Sequence, residues 1–180
     1  MKEGGCIYLA MIHEFSKSLK IGEEGEEHIL EYLRMSDNVS NIIDVRDSKV
    51  YQEIDVDFLA ELAGKEYKIE VKTDTYLSGN MYYETISAEE YDSIGCFEKT
   101  QADFMFYYFI NAKTLYILSM GEYRDWFKSK QKEFDTLNYK KRPINKGRKG
   151  STYTSVGYAF PVSLLEKEAP RWMRKVYLNF

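Results

Sequence analysis

Asp55-Val56-Asp57 and Glu70-Val71-Lys72 place three carboxylates and one ammonium on two short segments that alternate apolar and polar residues. Ile54 to Leu62 sets Ile54, Val56 and Phe58 against Asp55, Asp57 and Leu59, and Tyr67 to Thr73 sets Tyr67, Ile69, Val71 and Thr73 against Lys68, Glu70 and Lys72. Period two predicts strands in both, and the intervening Ala63-Gly64-Lys65-Glu66 suits a hairpin turn. In any odd-to-even register Asp55, Asp57, Glu70 and Lys72 leave one face together. Against a packed core such a cluster is costly unless a cation or the lysine offsets it. Oxygen ligands without His or Cys select magnesium or a similar ion, which keeps coordination places for water and phosphate oxygens.

A further carboxylate comes from the first predicted helix, Gly22 or Glu23 to Arg34, whose Glu-rich start would complement the helix dipole. At about 100° per residue Ile29, Leu30 and Leu33 form an apolar stripe, with Glu26 at its centre one turn earlier. Glu24, Glu27 and Glu31 fall on flanking or opposite faces, as solvated glutamates should. An acid aimed at the core calls for a partner there, which makes Glu26 a candidate fourth member of the site.

The helix motif Gly22-Glu23-Glu24-Gly25-Glu26, then Asp57, then Glu70-Val71-Lys72-Thr73-Asp74 resembles the PD-(D/E)xK nuclease superfamily. With Ser78-Gly79-Asn80, Glu84 and Lys99-Thr100-Gln101-Ala102-Asp103 following, the chain is similar to small restriction-endonuclease-like and Holliday-junction-resolvase-like proteins of phages and mobile elements. The likeness spans about residues 20 to 127. It implies an α/β, restriction-endonuclease-like fold with a central mixed sheet of about five strands flanked by helices. It implies a magnesium-dependent nuclease, with manganese as substitute, that hydrolyses DNA phosphodiesters, or a catalytically inactive DNA-binding or assembly relative. Asp57, Glu70 and the Val71 carbonyl would bind the metal, Lys72 would orient and help deprotonate the attacking water, and Glu26 would hold a further water or a second ion. Asp55 is the alternative to Asp57, preferred less because a shorter hairpin sets Asp57 opposite Glu70 or Lys72. No proline precedes either aspartate, and no crossover helix is evident after Lys72.

Three further strands are expected at Met81 to Ser87, Asp103 to Phe109 and Thr114 to Leu118, the last two joined by Asn111-Ala112-Lys113. Gly121 to Phe134, with Tyr123, Trp126, Phe127, Lys130 and Phe134 three or four apart, predicts a helix, and Ser163 to Glu168 a short one before Pro170. Residues 1–180 read as one domain, with a basic loop at about 139–151 and a C-terminal extension. A 44% apolar, 16% aromatic composition supports a core, and 30% charge argues against disorder.

The longest apolar runs, Cys6 to Ile12 and Phe104 to Ile110, are seven residues each, and a membrane span needs about 20. With no signal-peptide pattern at Met-Lys-Glu-Gly-Gly, a cytoplasmic location without membrane attachment is expected. Cys6 and Cys96 lie too far apart in sequence, and too far from other ligands, for a zinc ribbon. Net charge is −4, so attraction for DNA must be local. Lys140, Lys141, Arg142, Lys146, Arg148 and Lys149 crowd one stretch and supply it. If the substrate is a four-way junction, two symmetric cuts call for a homodimer.

Overall fold

In the computed structural model, residues 13–147, 151–169 and 171–179 are described. Helix α1 (Phe15–Arg34) carries the Glu26 stripe and packs along a mixed six-stranded sheet. That sheet has β2 (Val39–Asp44) at one edge, then β3 (Phe58–Leu62) and β4 (Lys65–Asp74), then β7 (Phe104–Phe109), β8 (Thr114–Ser119) and finally β13 (Met173–Tyr177). Only β4 and β7 run parallel within it. The helix α2 (Lys49–Gln52) lies between β2 and β3.

A four-stranded antiparallel sheet stands beside it, ordered β6 (Ser93–Ile94), β5 (Asn80–Ala88), β12 (Val156–Pro161), β9 (Lys140–Lys141). A small third sheet joins β1 (His13–Glu14), β10 (Ile144–Lys146) and β11 (Thr152–Thr154). Helices α3 (Cys96–Lys99), α4 (Met120–Thr136) and α5 (Val162–Glu168) complete the order.

The alternation of the central strands sorts the core into two layers. Phe58, Ile69, Val71, Phe106, Tyr108 and Leu115 meet Ile29, Leu30 and Leu33 of α1 on one face. Met105, Tyr107, Phe109, Tyr116 and Leu118 meet Tyr123, Phe127 and Phe134 of α4, and Met81, Tyr83, Tyr158 and Phe160 of the second sheet, on the other. Each such fully buried side chain contributes about 1.5–3 kcal/mol. The stacked ring pair Tyr83–Phe127, with centroids 3.7 Å apart, lies at the join of α4 and β5.

Several expectations need correction. Residues 54 to 57 are not strand: they follow α2 as an irregular turn, with Asp55 at φ 48°, because β3 begins only at Phe58. The odd-to-even register is present, as Phe58 pairs with Ile69 and Leu59 with Lys68, across a tight turn with Ala63 and Gly64 both at positive φ. Helix α1 starts at Phe15, so the glutamates lie mid-helix and not in its first turn. The main sheet has six strands and not five, and the Met81 segment leaves it for the second sheet, pairing with β12. The crossover between parallel β4 and β7 is thus made of β5, β6 and α3. The basic segment is not a plain loop. Residues 140–141 and 144–146 are strands whose partners, β12 for the first and β1 and β11 for the second, lie elsewhere in the chain, where local periodicity says nothing of them.

Gly25 sets how closely α1 approaches the sheet. A Cβ there would fall 2.8 Å from Thr73 Cβ and closer still to its Oγ1. In an exposed helix Gly→Ala is worth roughly 1 kcal/mol in favour of alanine; here the expected sign is opposite. Gly25→Ala should destabilise by about 1–3 kcal/mol through overpacking, a drop in Tm of about 2–4 °C per kcal/mol, read by calorimetry. A rise in Tm would show that α1 does not need this approach.

Candidate functional site

Strand β3 begins only at Phe58, the partner of Ile69, while β4 continues to Asp74, so past Ile69 one edge of β4 has no strand beside it. Asp57 occupies the start of that opening. Its N–H donates to the Ile69 carbonyl at 2.9 Å, and its Oδ2 accepts the Val71 N–H at 2.8 Å. The N–H and C=O of one strand residue face the same edge, so the Val71 carbonyl also looks into the opening. Glu70 and Lys72 share the face of Met105 and Tyr107, their partners on β7, while Glu26 arrives from the α1 face. The opening is where groups from both faces of the sheet can meet.

Glu70 and Asp57 lie carboxyl beside carboxyl, each within electrostatic reach of the other. Burial, the largest influence on each, pushes Asp57 up to about 7 and Glu70 well above the usual carboxylate range; the nearby charge of Glu26 adds to the first and that of Asp57 to the second. Burial likewise raises Glu26, against the pull of Arg46. Lys72 is held above the ordinary lysine range by its surroundings, Cys96 first, then Glu84, Glu70 and Asp74, against desolvation. Burial keeps the Cys96 thiol up to about 12 and therefore neutral, so Glu84 and Asp74 supply the compensating charge. The ammonium stays protonated at neutral pH.

Arg46, between β2 and α2, is a member that no local sequence signal singles out. Its guanidinium bonds Glu26 Oε2 at 3.2 Å, Glu27 Oε1 at 2.7 Å and Asp44 Oδ2 at 2.5 Å, and lies over the Phe58 ring, 5.1 Å from its centroid. It supplies the partner that an inward-facing Glu26 calls for.

Asp55 is set apart from the pair. It is ion-paired to Lys99 at 2.6 Å, and its carbonyl accepts the Thr100 hydroxyl at 2.5 Å, while Gln101 N–H binds the Ile54 carbonyl. Asp103 accepts the Lys68 N–H at 2.8 Å. The Lys99 to Asp103 block therefore staples the turn that carries Asp55 and Asp57. Asp55, Glu84, Asp92, Ser93, Cys96 and Lys99 line an open cavity of ≈ 550 Å³, and two of them, Glu84 and Cys96, are within electrostatic reach of Lys72.

Among the described residues no three Asp, Glu, His or Cys side chains form a ready metal cage. Magnesium does not ask for one: it is held by one or two carboxylates and keeps its remaining places for water and phosphate. Asp57, Glu70 and the Val71 carbonyl fit that donor set, and two adjacent half-buried carboxyls, each raised by desolvation, are groups a divalent cation would relieve. Glu26, turned to Arg46, is not aimed at them alone.

Of the basic residues, Lys140, Lys141 and Lys146 are exposed or partly so, Arg142 is paired to Glu89, and Arg148 and Lys149 lie outside the described residues. Tyr153 on β11 is within electrostatic reach of Glu84 and Lys72, so the β10–β11 hairpin abuts the site. No described helix is long and apolar enough to cross a membrane. The chain matches no protein-family model, no curated protein and no solved structure.

Proposed function

We propose that this chain is a metal-dependent nuclease of restriction-endonuclease-like fold, acting on DNA phosphodiesters. The observation that carries the reading is the Asp57–Glu70 carboxyl pair at the open edge of β4, with Asp57 held by the Val71 N–H and the half-buried Lys72 two residues along the same strand from Glu70. Two adjacent carboxyls both raised above their ordinary range beside a lysine are the pattern of sites that take a cation and an anionic substrate.

Magnesium at Asp57, Glu70 and the Val71 carbonyl would polarise a phosphoryl oxygen and acidify water. The chain's own groups divide the remaining work. Asp57, oriented by the Val71 N–H, presents its other oxygen to the opening. Lys72, kept charged by Glu84 and Asp74, serves as a fixed cation for the negative charge that develops on the phosphoryl group, and not as a base. Arg46 keeps Glu26 paired at the rim, where it lowers the repulsion an incoming phosphate meets.

The reading is tested by incubating plasmid, linear, single-stranded and four-way-junction DNA with magnesium, manganese or EDTA, comparing wild type with Asp57→Ala and Lys72→Ala. Metal-dependent cleavage lost in both variants is the expected result. DNA shifted in gels but cut under no condition would assign the chain to a non-catalytic DNA-binding role.

DNA affinity should rest on the hairpin and on β9. Replacing Lys140, Lys141 and Lys146 together by alanine is expected to weaken binding uniformly across sequences and to flatten the salt dependence. Each lost phosphate contact removes about 0.9 from the slope of log K against log salt on duplex DNA, so up to about 3 in all. Fluorescence anisotropy across a salt series reads it, and an unchanged slope would locate the phosphate contacts elsewhere.

A further inference from the structure

Tyr82 and Glu84 alternate on β5 with Met81 and Tyr83, which are buried in the α4 layer of the core. They therefore leave the opposite face of β5, toward Lys72, and both phenol and carboxylate lie within electrostatic reach of its ammonium. The strand is held there by a relay: the Tyr82 N–H donates to the Tyr107 hydroxyl at 3.2 Å, which donates to Asp74 Oδ2 at 2.6 Å, two residues past Lys72.

The Tyr82 hydroxyl is buried and has no hydrogen-bond partner among the described residues. Ser155 is close enough to influence the phenol but outside bonding geometry, and its own hydroxyl accepts Asn145 Nδ2 at 3.1 Å. A buried hydroxyl left unpaired is costly and rare. The ring is nevertheless accommodated deliberately. A Cβ at Gly157 would stand 2.5 Å from Tyr82 Cζ and 2.8 Å from its Oη, so this position on β12 is clear only because it is glycine. Desolvation pushes the phenol up to about 12, so it keeps a proton to donate.

We propose that the Tyr82 hydroxyl is a further substrate contact of this site, donating a hydrogen bond to a phosphoryl oxygen held beside Lys72. A neutral donor next to an ammonium is suited to an anion's oxygen, and the missing partner is then the substrate itself. This deepens the nuclease reading and rests on it. No residue pattern in the sequence distinguishes Tyr82 among 16 tyrosines; only the register of β5 against β12 and its docking on β4 does.

The test is Tyr82→Phe, which removes one oxygen and nothing that the described fold uses. Three quantities are read: Tm without ligand, kcat and KM for DNA cleavage with magnesium, and the Tm shift given by the dinucleotide pTpT with calcium. The expected result is a Tm equal to or above wild type, kcat lower by about 10- to 100-fold with KM within a few-fold, and a diminished pTpT shift.

If wild type cleaves no DNA, the nuclease reading falls, and the pTpT shift alone decides this inference. A shift present in wild type and lost in Tyr82→Phe keeps Tyr82 as a phosphoryl contact; equal shifts, or none in wild type, overturn it. A lower ligand-free Tm in Tyr82→Phe, matched by Ser155→Ala and with kcat and shift unchanged, also overturns it, by showing an internal Tyr82–Ser155 bond.

Discussion

Replacing Lys72 by methionine, which keeps most of the aliphatic stem and removes the charge, is expected to lower kcat for DNA cleavage by about 10²–10³-fold with little change in KM. The ammonium is half-buried beside Glu84 and Asp74 and stays charged. Its stabilisation of an anionic transition state is therefore shared with solvent less than it would be on an exposed face. Lys72→Arg should recover only a small part of the rate, because a planar guanidinium does not fill the place of a compact ammonium. Single-turnover kinetics at saturating magnesium separate the chemical step from product release. A methionine variant that cuts at the wild-type rate would place the chemistry outside this opening.

The second large effect concerns stability. Asp57 is raised to about 7 and Glu70 well above its ordinary value, chiefly by burial. Between about pH 4 and pH 7 the folded chain therefore keeps protons that the unfolded chain has released. Stability from this pair is complete below about pH 4, is lost as pH rises through 7, and stays lost above that until a cation replaces the protons. Each unit of displacement is worth about 1.4 kcal/mol, so the pair acting together sets an effect on the order of 4 kcal/mol.

Other carboxyls, Asp44 and Glu166 among them, are lowered by their cationic partners and act in the opposite sense. The comparison that isolates the pair is wild type against Asp57→Asn/Glu70→Gln, by thermal melts from pH 4 to pH 8.5 in EDTA. The double variant should gain on wild type as pH rises, by on the order of 10 °C at the alkaline end. Magnesium should raise the wild-type Tm more at pH 8 than at pH 5, because its ligands must be ionised, and should leave the double variant unmoved. A wild-type curve parallel to that of the double variant would show that the two carboxyls are ionised and solvated in the folded chain.

The hydrophobic periods of the sequence determine which residues face inward. Alternation over Tyr67 to Thr73 specifies β4 and puts Glu70 and Lys72 on one face, and the stripe of Ile29, Leu30 and Leu33 puts Glu26 toward the sheet. These are local properties, since a period of 2.0 or 3.6 follows from backbone geometry and from which side is dry. The same logic fails at residues 54 to 57, where apolar Ile54 and Val56 alternate with aspartates yet the chain turns. There Val56 is buried with Val45, Leu59 and Ala102 in a small cluster made by segments distant in sequence.

What the period cannot state is what covers a buried face. That β5 leaves the main sheet for β12, that Lys140 to Lys146 forms strands, and that β13 closes the sheet at its far edge are all decided by long-range pairing. The site divides along the same line. The acids and lysine of β4 and its hairpin are legible because a two-residue turn ties their register, whereas Arg46, Tyr82 and the Lys99–Asp55 staple are brought in by contacts 20 to 44 residues apart or by docking of a second sheet. Tertiary packing alone half-buries Asp57 and Glu70 at this opening, and it is this desolvation that raises both carboxyls above their ordinary range.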